Sequence, residues 1–411
     1  MGTPVCSAGM SDPASQQPDD TSDFGRFLRT ETFGGVILLV AAALALAWAN
    51  SPWSSAYLDL RAWSFGPESL HLHLSAGDWA RDGLLALFFF VVGLELKREL
   101  VVGELANLRA AAFPVLAAIG GIIVPAGIAV AIMWGAPGSG RAWAIPTATD
   151  IAFALGVLAL AGAAMPTAGR LVLLALAVVD DLVAIMLIAV LFSDGIDVMA
   201  LAAFVALVAL YALLQRARIS SFLVYVPLAL ATWALLHASG VHATIAGVAL
   251  GLLTRVRADS GEVEAPAVRL EHRLQPWSAA VAVPIFAFFA AGVPLDGAAL
   301  RGIFDDRIAI GIIVALVVGK LVGIIGASWI AERAGWGSRP EGVTWPMVGS
   351  IGLLGGIGFT VSLLVADLAL DGAAGERATA AVLIGSAIST ILAVVALRLH
   401  GRSATTSKRG A

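Results

Sequence analysis

The apolar run from Leu171 to Phe192 is interrupted at its centre by two adjacent acids, Asp180 and Asp181. The run is long enough to cross the hydrocarbon core of a bilayer, which takes about 20 helical residues. A carboxylate at that depth costs roughly 2.5–3.5 kcal/mol on the insertion scale, so ionisable residues there usually serve a function. Two consecutive acids therefore predict a functional site inside a membrane helix rather than a pair of capping or packing carboxylates.

The composition is that of a multi-pass membrane protein. Of the 411 residues, 59% are hydrophobic and only 13% are charged, with a mean hydropathy of +0.91. Soluble domains carry about 25% charged residues. The net charge of −4 comes without the basic stripe that binding of nucleic acid requires. The single cysteine, Cys6, excludes a disulfide framework and a cysteine-based metal site.

Twelve apolar stretches are candidate membrane spans. They lie near residues 33–49, 80–97, 111–134, 142–163, 171–193, 198–214, 219–236, 241–254, 277–293, 307–331, 345–366 and 377–398. An even number of spans puts both chain ends on one side of the membrane. That side then holds 18 Lys and Arg residues and the other side six, so the positive-inside rule predicts that both termini are cytoplasmic.

The regions outside these spans predict two tails and one hairpin. Residues 1–23 are polar and are expected to be disordered, residues 24–400 form the membrane domain, and residues 401–411 form a polar basic tail. Between 62 and 75, alternating apolar and polar residues around a Gly-Pro pair predict an external hairpin, with an irregular loop as the alternative. A lone two-stranded ribbon is marginally stable, which suggests a homodimer through this hairpin.

Two spans contain residues that disfavour a continuous helix. Pro146 lies in the fourth span, within residues 144–150, and the eleventh contains the glycines of 355–358. Proline kinks and glycine packing faces are common in membrane helices and remain the alternative. However, the segments that follow match each other, IAFALGVL at 151–158 and IGFTVSLL at 357–364. Because these spans are seven apart, the two copies cross the membrane in opposite directions and indicate an inverted repeat of spans 3–5 and 10–12. Paired interruptions at matching positions of such a repeat typically mark the substrate site of a transporter.

The ionisable residues inside the spans are Asp150, Asp180, Asp181 and Lys320, while Asp82 lies near an outer mouth. Carboxylate, hydroxyl and carbonyl oxygens suit a small hard cation, and no His/Cys cluster favours a transition metal. Desolvation and mutual repulsion disfavour a doubly ionised pair, so the pair holds protons or a cation but not both. The residues therefore predict cation/proton exchange. Asp150 is expected to compensate the positive ends of the interrupted helices, and Lys320 is expected either to compensate their negative ends or to pair with a carboxylate.

Two other classes of function also use acids inside the membrane. A cation channel arranges them as rings around a pore, whereas this chain has an internal repeat and a lysine among the acids. An intramembrane aspartyl protease needs two aspartates that share a proton. Adjacent aspartates on one helix point about 100° apart and do not form that pair unaided, although Asp150 could supply a partner.

Several segments resemble the NhaA family of bacterial Na+/H+ antiporters. They are VVGLELKREL (91–100), AIPTATDIAFALGVLAL (144–160), VVDDL (178–182), SGVHATIAGV (239–248), RLEHRLQPW (269–277), IFAFFAAGV (285–293), GKLVGI (319–324) and GGIGFTVSL (355–363). The resemblance covers roughly residues 24–400. It implies an all-α fold of twelve transmembrane helices, with interrupted helices 4 and 11 crossing. It also implies exchange of cytoplasmic Na+ or Li+ for external H+ across the bacterial plasma membrane, in pH and sodium homeostasis, without a cofactor.

The resemblance also implies roles for individual residues. Asp181 matches the principal ligand of the transported cation, and Asp180 matches a second carboxylate that pairs with Lys320. Thr149 and Asp150 match the unwound part of the fourth helix. A cytoplasmic group associated with pH regulation is matched by Glu95, Lys97, Arg98, Glu99, Glu271 and His272. An ordinary solvated charged surface is the alternative for that group, and Gln275 stands where some family members carry another histidine.

Overall fold

Long apolar helices make up most of the protein. The computed structural model describes residues 20–68, 72–161, 165–193, 195–295 and 297–409, without the side chains of 20–32, 104, 108–110, 298–300 and 400–409. The predicted tail residues 1–19 lie outside the described part, and residues 20–23 form the start of the first helix. Residues 401–409 likewise continue the last helix. The division into two tails and a membrane domain stays a prediction.

The helices of the first half of the chain are α1 (Asp20–Ala49), α2 (Ser54–Ala62), α3 (Ala76–Asp78), α4 (Leu85–Val101), α5 (Leu108–Met133), α6 (Ser139–Ala142), α7 (Ile151–Leu160), α8 (Thr167–Leu191) and α9 (Val198–Arg216). Those of the second half are α10 (Phe222–Ala238), α11 (Thr244–Leu253), α12 (Pro266–Trp277), α13 (Val283–Ala291), α14 (Gly297–Asp305), α15 (Arg307–Val314), α16 (Lys320–Arg333), α17 (Trp345–Gly355), α18 (Phe359–Ala369) and α19 (Gly372–Arg409). Short 3-10 turns occur at Glu104–Ala106 and Ile145–Thr147.

Membrane-spanning length and composition occur repeatedly along the described chain. Six helical stretches are long and apolar enough to cross a membrane, and three bent pairs bring the number to nine if each pair is one span. The shorter helices α10 and α11 are also apolar. An all-α membrane protein is therefore confirmed, whereas the count of twelve stays a prediction.

Three π-helical segments join helices into longer units. Trp79–Leu84 leads into α4, Ser278–Ala282 joins α12 to α13, and Ala315–Gly319 joins α15 to α16. The second junction makes one helical stretch from Pro266 to Ala291. The helix therefore starts before the predicted ninth span, 277–293, because the charged residues of α12 are not typical of a membrane span.

The predicted hairpin is present. Strands β1 (Ser64–Phe65) and β2 (Leu74–Ser75) pair antiparallel, with Ser64 opposite Ser75 and Phe65 opposite Leu74. Gly66 takes a φ of 122° directly after β1, where other residues would be strained. The indole nitrogen of Trp79 donates to the Phe65 carbonyl over 3.0 Å and ties the ribbon to the helix behind it. Residues 69–71 at the tip lie outside the described part.

Both predicted helix interruptions are present. The helical stretch Ser139–Thr147 and α7 are bent by 41° to each other, and so are α17 and α18. Residues Ala148–Asp150 separate the first pair and Gly356–Gly358 the second. Each break leaves helix ends without intrahelical partners inside an apolar protein, so side chains must bind the exposed backbone groups.

Small residues allow α5 and α16 to approach closely. A Cβ atom on Gly323 would lie 2.2 Å from the carbonyl oxygen of Gly120, and one on Gly120 would lie 2.3 Å from that of Gly323. Contact of backbones at glycine is a common way for membrane helices to pack. This contact holds α16, and with it Lys320, against α5.

We expect Gly323→Val to lower the thermal unfolding temperature of the purified protein, because overpacking typically costs about 1–3 kcal/mol. Gly326→Val is the matched control in the same helix, since a Cβ atom there meets nothing within 4 Å. Equal unfolding temperatures for the two variants, measured by differential scanning fluorimetry in detergent, would contradict the packing role of Gly323.

Candidate functional site

Asp150 lies where the two interrupted helices cross. Its backbone N–H donates to the carbonyl oxygen of Ile357 over 2.7 Å. Its Oδ1 accepts from the N–H of Phe153 at 3.0 Å, and its Oδ2 accepts from both the N–H and the hydroxyl of Thr360, at 3.0 and 2.6 Å. One carboxylate therefore binds the N-termini of α7 and α18, which carry partial positive charge.

Lys320 binds the opposite end of the first break. The side chain is fully buried, and its Nζ donates to Asp180 Oδ2 and the Thr147 carbonyl oxygen at 2.6 Å each, and to Thr149 Oγ1 at 3.0 Å. An ammonium group has three donors, and all three are used here. The Thr147 carbonyl ends the 3-10 turn before the first break, so Lys320 serves a helix end and a carboxylate together.

The Thr149 hydroxyl joins both breaks to the acid pair. Its Oγ1 lies 2.7 Å from Asp180 Oδ2 and 2.9 Å from the carbonyl oxygen of Gly355, the last residue of α17. A hydroxyl has one proton to donate, so the two acceptors compete for it while Lys320 donates to the oxygen. The site is thus a connected network rather than a set of separate contacts.

The two adjacent aspartates differ sharply in their surroundings. Asp180 is 1% exposed and Asp181 is 4% exposed. Asp180 Oδ2 has an ion pair and a hydroxyl donor, whereas the Oδ1 atoms of both aspartates are buried without a hydrogen-bond partner among the described residues. Burial of an acceptor without a partner normally costs about 1–3 kcal/mol, and more if the group is charged. A cation or proton that binds these two oxygens would remove that cost.

A narrow cavity of about 40 Å³ reaches Asp181. That volume accommodates about three water-sized species, since one needs roughly 10–15 Å³. Its polar lining is formed by Glu95, Thr149, Asp150, Asp181, Gln275, Ser278 and Thr360. Glu95 and Gln275 line it from α4 and α12, so the acid pair is approached from the side of the predicted pH-response group.

The structure divides that predicted group. Arg98 lies 3.0 Å from Glu271 and 3.7 Å from Glu99, and these residues form a cluster. His272 instead faces Glu264 at 3.8 Å and is about half exposed. Among the described residues, Lys97 has no ion-pair partner. Glu95 belongs to the cavity wall.

Some residues of this site were not found from the sequence. Thr360 donates to Asp150, the Gly355 carbonyl accepts from Thr149, and Ser278 lines the cavity. Thr360 is the second residue after the glycine-rich break, and that position was the available signal. Ser278 lies in a π-helical segment, a geometry often found at functional sites that sequence patterns do not reveal. Among the described residues, no group of three or more His, Cys, Asp or Glu could hold a resident metal ion.

Comparisons with known proteins identify the family. The family model Na+/H+ antiporter 1 matches residues 25–397. The chain belongs to the NhaA family of Na+/H+ antiporters. It is 61% identical to Na(+)/H(+) antiporter NhaA 1 of Saccharopolyspora erythraea over 391 residues, 95% of each chain. It is 56% identical to NhaA 2 of Rhodococcus jostii over 386 residues, 93% of this chain and 94% of that one.

A third relative, the Na(+)/H(+) antiporter NhaA of Nocardia farcinica, is 56% identical over 382 residues, 93% of this chain and 92% of that one. The region matched by the NhaA family model contains every predicted site residue and the whole Asp150–Lys320 network. The family resemblance expected from the sequence is therefore confirmed.

We expect Lys320→Ala to destabilise the protein strongly, because removal of one partner of a buried ion pair typically costs about 3–5 kcal/mol. The double variant Lys320→Ala with Asp180→Asn should recover part of the lost unfolding temperature, since the second change removes the unpaired buried charge. Additive losses in this double-mutant cycle, measured by thermal unfolding, would contradict a stabilising pair.

Proposed function

We propose that this chain is a secondary active transporter that exchanges cytoplasmic Na+ or Li+ for external H+, and that Asp181 with Asp180 binds the cation. The relatives that match it nearly end to end are named Na+/H+ antiporters. The observation that carries the proposal is the buried Oδ1 of Asp181, which has no partner among the described residues although its side chain lines the cavity.

Competition for the same oxygens couples the two ions. A cation at Asp181 occupies the lone pairs that a proton would otherwise take, and hard cations prefer such carboxylate oxygens. The unpartnered Oδ1 of Asp180 offers a second ligand, and the Thr149 hydroxyl and the cavity supply neutral oxygens. Exposure of this site to each side of the membrane in turn then exchanges cation for protons, with no cofactor.

Lys320, Thr149 and Asp150 have supporting roles in this proposal. Lys320 offsets the charge of Asp180, so that the empty pair does not present two uncompensated carboxylates. Asp150 holds the two helix N-termini together beside the cavity that reaches Asp181. These contacts fix the relative positions of the ligands, which selective binding of a small ion requires.

The proposed architecture has twelve spans. It takes the nine stretches of spanning length and composition together with α10, α11 and the helix formed by Trp79–Leu84 and α4. Spans 3–5 and 10–12 form the inverted repeat. In support, both middle spans are broken at 41°, and their breaks meet through the Asp150–Ile357 backbone hydrogen bond.

The proposed location is the bacterial plasma membrane, with both termini in the cytoplasm. The excess of Lys and Arg on the side of the chain ends supports this orientation. The cavity then opens toward the cytoplasm, since Glu95 and Gln275 lie in the halves of their helices nearer that side. The hairpin of β1 and β2 is external, and we propose that a homodimer forms through it.

An aspartyl protease is disfavoured by these contacts. Such an enzyme needs two carboxyl groups that share one proton and activate water. Both oxygens of Asp150 accept hydrogen bonds from helix N-termini, and one oxygen of Asp180 is bound to Lys320. Asp150 is therefore not available as a partner for Asp181, and the adjacent side chains of Asp180 and Asp181 point about 100° apart on one helix, so transport remains the function that the site supports.

We expect Asp181→Asn to abolish the pH change that added Na+ produces in everted membrane vesicles, because the amide carries no charge for the cation and exchanges no proton. Fluorescence of a pH-sensitive dye measures the exchange, with Li+ and K+ tested in turn. Asp59→Asn, at an exposed carboxylate, is the control and should behave like the parent. Exchange at the parent rate in the Asp181 variant would overturn the proposed function.

The proposed pH-response group makes a second prediction. Glu271→Gln removes the carboxylate that lies 3.0 Å from Arg98 and leaves this cluster with one negative charge fewer. A gain in net positive charge favours the ionised form of nearby acids, so we expect the pH profile of exchange to move to lower pH. His272→Gln should leave the profile unchanged, because His272 faces Glu264 instead. Equal profiles for all three proteins would support the ordinary charged surface.

A further inference from the structure

The end of the molecule opposite the cavity mouth is closed by two successive layers. The first is an apolar cluster of Ala148, Ala184 and Val361. Val361 also lines the cavity, so this cluster forms its floor. Ala184 follows Asp181 by three residues on α8, about 4.5 Å along the helix axis. Ions at the acid pair therefore meet apolar side chains in this direction.

The second layer is a group of ion pairs around Asp367. This residue lies six positions after Val361 on α18, about 9 Å further along the axis. Its Oδ2 accepts from Arg81 at 2.9 Å and its Oδ1 accepts from Arg61 at 3.3 Å. Each oxygen thus binds a different arginine, one from the π-helical segment before α4 and one from α2.

Arg81 is fixed independently of Asp367. Its guanidinium also binds both oxygens of Asp82, at 3.0 and 3.2 Å, and lies 2.9 Å from Asp78. The Asp82 carbonyl accepts from the indole of Trp233 on α10 at 2.7 Å, and the Asp82 carboxylate faces His242 at 3.7 Å and His237 at 4.0 Å. Among the described residues, the ion pairs that join α18 to Arg81 and to Arg61 are both made by Asp367.

We propose that Asp367, with Arg81 and Arg61, forms an external latch that holds α18 against the start of α4 and α2 and keeps the external route to Asp181 closed. The inference rests on the proposed function and orientation. The outer half of the broken span, α18, carries Asp367 near its end and contacts Asp150 through Thr360 near its start. Opening toward the outside requires that these ion pairs part before the apolar floor does.

The arrangement differs from a merely stabilising surface pair. Asp367 is the one residue by which α18 is charge-paired to both arginines, and it lies on the same helix as the cavity floor and the Asp150 contact. A comparable pair, Arg377–Asp306 at 2.6 Å, joins the start of α19 to the start of α15. That pair does not bridge α18 to α4 and offers a matched control.

Accessibility of a cysteine below the latch tests the inference. Cys6 is the only cysteine, so Ala184→Cys in a Cys6→Ser background gives one reporter in the closed layer. A membrane-impermeant methanethiosulfonate reagent is added to right-side-out vesicles without Na+ and at equal pH on both sides. Asp367→Asn should raise the labelling rate about three- to tenfold, since partly exposed ion pairs are modest in strength. Asp367→Glu should label near the parent rate.

Two further variants keep the result decisive. Arg61→Gln removes one of the two pairs at a partly exposed side chain and should raise labelling about twofold. Arg377→Gln should leave it unchanged. Parent-like labelling in both Asp367→Asn and Arg61→Gln, or an equal rise in Arg377→Gln, would overturn the latch. Because labelling needs no ion exchange, failure of the latch and failure of the Asp181 prediction are distinguishable.

Discussion

The buried ammonium group of Lys320 is the contact on which the rest of the site depends. Its three donors bind a carboxylate, a hydroxyl and a helix-end carbonyl that lie on two other helical elements. A lysine ammonium group buried without a partner in an apolar interior would lose its proton or move to water, and burial of an unpaired carboxylate is costly in the same way. Together Lys320 and Asp180 are tolerated, and their pairing leaves Asp181 as the acid whose charge is not directly offset. The chemistry proposed for Asp181 follows from that imbalance.

The same contacts solve a backbone problem. Two helices broken inside an apolar protein expose N–H groups at one set of ends and carbonyl groups at the other. Asp150 binds the N–H groups of Phe153 and Thr360, while Lys320 and the Thr149 hydroxyl bind the carbonyls of Thr147 and Gly355. Three side chains therefore serve both breaks, and every one of them also contacts or adjoins the acid pair. Stability of the crossing and geometry of the site are consequently inseparable.

The sequence predicted the individual charges better than their partners. Asp150, Asp180, Asp181 and Lys320 stood out because each is costly in an apolar run, and proline and glycine marked the two breaks. Contacts between residues far apart in the chain, such as Asp150 with Thr360, are not encoded in any local pattern. The start of the helix at Pro266 was not predicted, because its first turns contain polar and charged residues. Arg81 and Asp367 were not singled out, since charges near span ends are ordinary and only folding brings these two together.

The two ion-pair systems differ in how easily they can part. Lys320 and Asp180 are fully buried, so their separation leaves charges that water does not reach, and an ion or proton must compensate them. The side chains of Arg81 and Asp367 remain 24% and 28% exposed, and water can solvate them when they separate. In the proposed cycle, the outer pairs therefore break at modest cost, while the charge state of the inner site changes only with its ligand. Strict exchange without leakage requires both properties. The gate must open readily, and the charge of the site must be neutralised by its ligand before the gate opens.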